Sequence, residues 1–169
     1  MINMITALKK LLSIGIVVSV VLSLGCTTAN EKIGGALNLD TDLKLEFVVD
    51  KNVNPDESEK ASPVYLRMYE LTNTQSFENA DFIDIYEQDE KILGKALLGK
   101  RKLKRFVPGE VRTESFVLNK KTRYVALYGE FFKFRDSRYK VVFPVTASNL
   151  IRNKVKISVS ENNIVILEE

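Results

Sequence analysis

Short runs in which apolar and polar residues alternate, recurring from Leu43 to Leu167, constrain this chain more than any other feature. A period of two puts every second side chain on one face of an extended backbone, so each run reads as a half-buried strand. In Leu43-Lys44-Leu45-Glu46-Phe47-Val48-Val49, the buried face holds Leu43, Leu45, Phe47 and Val49. A second strand is expected over Val64–Tyr69, with Val64, Leu66 and Met68 inward. Leu103–Val107 follows, closed by the turn dipeptide Pro108-Gly109, and then Val111–Leu118 with Phe116 and Leu118 on one face. Arg123–Phe132 is apolar on both faces for most of its length, as in a central strand. In Tyr139–Val145, Pro144 predicts an edge position or the end of the strand. Val155, Ile157 and Val159 alternate with polar residues, and Asn162-Asn163 turns the chain into Ile164–Leu167 as a closing hairpin. Seven or eight such strands specify an all-β, two-sheet β-sandwich over residues 41–169.

One segment breaks the period. From about 74 to 98, Phe82, Ile85, Tyr86, Ile92 and Leu93 recur at helical spacing, which predicts a small helical insertion. Asp81 is placed to cap its start and Gly94 to end or interrupt it, while Phe77 and Ala80 suggest a preceding helical turn. The acids Asp81, Asp84, Glu87, Asp89 and Glu90 are expected to form the solvated face of this helix, the alternative being carboxylates gathered for catalysis. The basic run Lys100–Arg105 is expected on an edge strand whose charges discourage aggregation. Contact with anionic headgroups or an acidic partner is its functional alternative.

The amino terminus has a different grammar. Lys9 and Lys10 precede an uncharged stretch from Leu11 to Leu24, followed by Gly25 and Cys26. As a helix that stretch rises about 21 Å, short of a hydrocarbon core of about 30 Å. Residues 1–25 therefore read as a cleaved secretory signal rather than a permanent span. Cys26, the only cysteine, directly follows a small residue and resembles the lipobox of bacterial lipoproteins, in which the leader is cut before the cysteine and the cysteine carries lipid. Ser23 departs from that pattern, which usually has Leu three residues before the cysteine. Residues 26–40 are polar and aperiodic, as suits a lipidated tether.

Removing the leader reduces 25 basic residues to 23, against 22 acids, for a net charge of about +1. A nucleic-acid partner thereby loses its electrostatic basis. The chain has no histidine and no second cysteine, so the usual near-neutral base, thiolate metal sites and redox pairs are excluded. It carries no phosphate-cradling glycine loop and no nucleophile elbow. No enzyme activity is expected, and no cofactor or metal beyond covalent lipid on Cys26. Lys51–Pro63, polar and bounded by Pro55 and Pro63, is too long for a tight hairpin. On a rigid sandwich such a loop is either a binding element or idle solvent chain.

The succession of lipobox, first strand, long loop, Pro63-Val64-Tyr65-Leu66-Arg67-Met68-Tyr69-Glu70-Leu71, Ala80-Asp81-Phe82-Ile83-Asp84-Ile85-Tyr86, Val107-Pro108-Gly109-Glu110 and Arg123-Tyr124-Val125 resembles the TssJ family, outer-membrane lipoproteins of the type VI secretion system. Tyr139 departs from it, standing where members often have Trp. The resemblance implies a transthyretin-like sandwich, anchored by lipid at the periplasmic face of the outer membrane. It implies that the chain binds the periplasmic domain of TssM and, through it, joins TssL in the trans-envelope membrane complex. Thr27 after Cys26 lacks the acid associated with inner-membrane retention in enteric bacteria. The family's contact with TssM is the loop between the first two strands, here Asn52, Val53, Asn54, Pro55, Asp56, Glu57 and Ser58. A periplasmic ligand carrier built on the same sandwich is the alternative, and a carboxylate hydrolase a third reading.

Overall fold

In a computed structural model, residues 41–145 and 153–167 are described. The expected leader, Cys26 and the tether over 26–40 lie outside them. In chain order the strands are β1 (Thr41–Val49), β2 (Leu66–Leu71), β3 (Leu97–Lys102), β4 (Val111–Leu118), β5 (Tyr124–Gly129), β6 (Lys140–Pro144), β7 (Asn153–Ser160) and β8 (Asn163–Leu167). Helices α1 (Gln75–Asn79) and α2 (Phe82–Leu93), with a 3-10 turn at Gly94–Ala96, come between β2 and β3. The architecture is the expected two-sheet sandwich, with sheet orders β4-β1-β7-β8 and β3-β2-β5-β6. β1 pairs antiparallel with β4 and parallel with β7, while the second sheet is antiparallel throughout.

The inward faces meet in one core. Leu43, Leu45, Phe47 and Val49 of β1 pack with Leu66, Met68, Val125, Leu127, Ile157 and Val159, all buried. A second core lies on the outer face of the second sheet, where Tyr69, Leu71, Ala126 and Tyr128 are covered by Phe77, Ile85 and Leu93 of the helices. This second layer makes β5 apolar on both faces, and it buries the outer face of β2 as well, which the alternation of Val64, Leu66 and Met68 does not reveal. Pro144 lies on β6, an edge strand, as its missing N–H requires.

Four boundaries differ from expectation, the first being β5, which ends at Gly129 and leaves Phe131 and Phe132 in the loop that follows. β2 starts at Leu66 and runs on to Leu71, with Val64 joined to Phe106 only by an isolated bridge. The strand expected over Leu103–Val107 is instead β3 at Leu97–Lys102, so half of the basic run is edge strand and the rest a connecting loop. The loop still buries Leu103 and Phe106, which is why it mimics a strand. The closing turn is Glu161-Asn162, one residue earlier than expected, with Glu161 at φ +47°.

The helical acids do not form one solvated face. Asp89 is 5% exposed, against expectation. Helix α2 breaks at Gln88 (φ −134°, ψ 30°), and the groups freed by the break find new partners. The Glu90 N–H donates to Asp89 Oδ1 at 2.8 Å, and the Tyr86 carbonyl accepts from Arg67 Nη1 at 3.0 Å. The Arg67 guanidinium also reaches Asp89 Oδ2 at 3.3 Å and, through Nε, Glu130 Oε1 at 2.7 Å. Lys100 Nζ meets Asp89 Oδ1 at 2.9 Å, and the Tyr69 hydroxyl donates to Oδ2 at 2.8 Å. Much of the basic run is thereby engaged within the fold, since Arg101 pairs with buried Glu70 at 2.9 Å and Lys102 lies 3.8 Å from Glu130.

Burial alone raises the Asp89 carboxyl, but hydrogen bonds from Lys100 and Tyr69 outweigh it and hold the group below its ordinary 3.8. A carboxyl depressed in the fold stabilises it above the unfolded value and loses that contribution as pH falls through the folded one. Stability is therefore predicted to decline below pH 3.8 in part through this group. Asp89→Ala, which strips Arg67 of a buried partner, is predicted to cost about 3 kcal/mol in urea unfolding, whereas exposed Glu87→Ala should cost less than 0.5 kcal/mol by rough estimate.

Candidate functional site

The strand directions gather four connections at one pole of the sandwich: residues 50–65, 103–110, 130–139 and the turn 161–162. β1 enters at the other pole, where Thr41 pairs with Leu118, and crosses nine residues, about 30 Å, before reaching this one. Backbone hydrogen bonds weld the loops together. Asp50 N–H donates to the Val159 carbonyl at 2.9 Å, Gly109 N–H to Asp50 at 3.2 Å, Asn54 N–H to Glu161 at 2.7 Å and Glu130 N–H to Tyr65 at 2.9 Å. Gly129 marks the close approach at the end of β5, since a Cβ there would sit 2.7 Å from the Phe131 ring.

The seven residues expected to touch a partner divide into two groups. Val53 is fully buried in the inter-sheet core, and the Ser62 N–H donates to its carbonyl at 3.0 Å, closing the neck of the loop. Asn54 is 2% exposed and takes φ +48°, a conformation Asn tolerates. Its Nδ2 donates to the Pro63 carbonyl at 2.9 Å, and its Oδ1 accepts the Phe132 N–H at 2.8 Å. The side chains of Val53 and Asn54 are therefore almost wholly enclosed; they fix the loop and tie it to residues 130–138. Asn52, Glu57 and Ser58 are exposed, and Pro55 and Asp56 are half-buried. Asp56 orders the tip, its Oδ1 accepting the N–H groups of Ser58 at 2.8 Å and Lys60 at 3.0 Å. Asn52 Nδ2 donates to Glu161 Oε1 at 3.4 Å, and Glu59 pairs with Lys133. The loop is a folded element.

The reading of the sequence missed Phe132. It is 66% exposed beside buried Phe131, and with Tyr65 and Tyr86 it borders a hollow next to Asn54 and Pro63. The pair Phe131-Phe132 reads as the end of a strand in the sequence, but both lie beyond β5 and Phe132 is in a turn that directs its ring outward. The hollow opens to solvent and is lined by Asn54 and Glu130 as well as rings, unlike the enclosed apolar pocket that a ligand carrier needs. Its floor is an aromatic stack in which Phe82 lies 4.1 Å from Phe134 and 6.1 Å from Tyr86 between ring centroids, with Tyr139 edge-on to Phe82 at 5.1 Å. Burial, and then the carboxylates of Asp81 and Asp84, push the Tyr139 phenol up.

This geometry has relatives. The family model for type VI secretion lipoproteins (VasD, EvfM, TssJ) matches residues 41–162. The fold is similar to that of the T6SS lipoprotein TssJ1 from Pseudomonas aeruginosa, at TM-score 0.70 and 23% identity, covering 77% of this chain and 97% of that one. It is similar also to Serratia marcescens Lip, a membrane-bound component of the type VI secretion system, at TM-score 0.70 and 17% identity, covering 77% and 98%. A chain in the structure of the T6SS protein TssM C-terminal domain from EAEC matches at TM-score 0.62 and 16% identity, covering 76% and 98%. Among curated proteins none matches this chain. The structural likenesses concern the fold, whereas the family match runs from the first strand to the last turn. The chain belongs to the type VI secretion lipoprotein family, TssJ.

Proposed function

We propose that this lipoprotein is held at the periplasmic face of the outer membrane by lipid on Cys26 and docks the periplasmic domain of TssM through its loop pole. It would thereby help assemble the membrane complex that also contains TssL, without catalysis. One observation carries this reading: four loops, welded by hydrogen bonds, form an ordered surface at the pole opposite the entry of β1. Ordered loops bind with less entropy cost than slack ones. Family membership supplies the secretion context. Within the loop, Asn52, Pro55, Asp56, Glu57 and Ser58 are the contacting residues, with Val53 and Asn54 supporting them from below. The lipid confines the protein to one surface and raises its concentration around the partner.

Two variants test this. Glu57→Arg with Ser58→Arg alters only exposed side chains, so its unfolding midpoint should match wild type. Its affinity for the TssM periplasmic domain, measured by interferometry on the mature lipoprotein in detergent, should fall by about tenfold or more; an unchanged affinity contradicts the assignment of the loop. Cys26→Ser should keep that affinity yet leave the membrane fraction and fail to support secretion. Full secretion by this variant contradicts the role of the anchor.

A further inference from the structure

The loop pole carries a chemical bias that the loop of residues 50–63 does not explain. Of the large apolar side chains that the fold leaves exposed, Tyr65, Ile83, Tyr86 and Phe132 stand at 40, 46, 48 and 66%. Tyr65, Tyr86 and Phe132 share the hollow beside Asn54 and Pro63, and Ile83 borders the adjoining one with Phe82 and Phe134. The stack of Tyr86, Phe82 and Phe134 beneath them is held from behind, with the Arg67 guanidinium 5.1 Å from the Tyr86 ring centroid. Exposed rings on a rigid floor are the usual anchors of protein interfaces.

The charges around this corner are unequal once internal pairs are removed. Lys102 lies against Glu130 and the Tyr65 ring, and Lys133 pairs with Glu59, while Arg135 over Phe134 and Lys140, which donates to the carbonyls of Phe77, Glu78 and Ala80 near Asp81, keep their charge. Against these, the side chains of Glu57, Asp81, Asp84, Glu87 and Asp136 have no hydrogen-bond or ion-pair partner among the described residues. Five carboxylates against Arg135 and Lys140 leave a negative excess, and it sits mostly along the open side of α2 beside Tyr86. The upward push on Tyr139 by Asp81 and Asp84 has the same sign.

We infer that the aromatic hollow between Tyr65, Tyr86 and Phe132 receives an apolar side chain projecting from a basic segment of the docked partner, with the lysines or arginines of that segment facing the carboxylates of α2. This rests on the reading that TssM docks at the loop pole, and it extends the interface across residues 130–138 to the start of α2. The hollow is continuous with the loop because Asn54 joins them through the Phe132 N–H.

The test is the affinity of the mature lipoprotein in detergent for the TssM periplasmic domain across a salt series. Phe132→Ala removes an exposed ring while leaving its backbone bond to Asn54 in place, and it should weaken binding by about tenfold or more. Asp84→Asn with Glu87→Gln should flatten the loss of affinity with rising salt. Val117→Ala, exposed on β4 at the far edge of the sandwich, should change nothing. If Phe132→Ala and the neutralised pair stay within twofold of wild type while the Glu57 and Ser58 double variant fails, the hollow is not an anchor and the loop assignment stands. If the aromatic variant weakens binding but the salt dependence is unaltered, the basic chemistry of the occupant is overturned. A wild-type protein that does not bind at all overturns the docking reading, and this inference with it.

Discussion

Arg67 is the residue on which the helix-covered half of this sandwich depends. It occupies the outer face of β2, which is otherwise apolar, and joins three elements at once. Its Nη1 holds Asp89 and two carbonyls at the break in α2, and its Nε holds Glu130 at the end of β5. The guanidinium also lies over the rings of Tyr86 and Tyr128. A planar cation with five fixed donors can do this and a lysine cannot. Burial lowers the proton affinity of the guanidinium, but Glu130 and neighbouring groups outweigh it and raise it overall, so the charge is permanent. Helix and sheet are thereby locked in register, and the start of α2 is held where its aromatic side chains meet residues 130–138.

A second, smaller device orders the loops. Asn54 adopts a left-handed backbone and uses its side chain twice, binding its own loop at Pro63 and the neighbouring loop at Phe132. Asp56 then folds the tip around its carboxylate. Together with the cross-links from Asp50 and Glu161, these contacts make a preformed surface from segments far apart in sequence. Rigid scaffolds place variable binding chemistry on such loops while the strands absorb the cost of folding.

Most of the sandwich was legible because half-buried strands announce themselves by alternation. β1, β4 and β7 follow that pattern closely, and β5 was legible as a central strand because both of its faces are apolar. Where the pattern failed, a second layer or a polar partner had intervened. Tyr69 and Leu71 lie under helices that local periodicity does not place, and Asp89 is buried by cations 22 and 11 residues away in sequence. Leu97 and Leu98 continue the apolar spacing of α2, which hid the start of β3 behind the 3-10 turn. At the candidate site the loop was legible as a long polar excursion, but its division into supports and surface was not. Val53 and Asn54 look like their neighbours until the core and the Phe132 N–H claim them.

The central claim is that the loop pole, and not a sheet face, meets TssM. Hydrogen–deuterium exchange of the mature lipoprotein with and without the TssM periplasmic domain tests it most directly. Slowed exchange is predicted for amides in 52–62 and 130–138, with β1 and β7, the central strands of the first sheet, unchanged. Protection confined to the first sheet, with both loops exchanging as in the free protein, would contradict it.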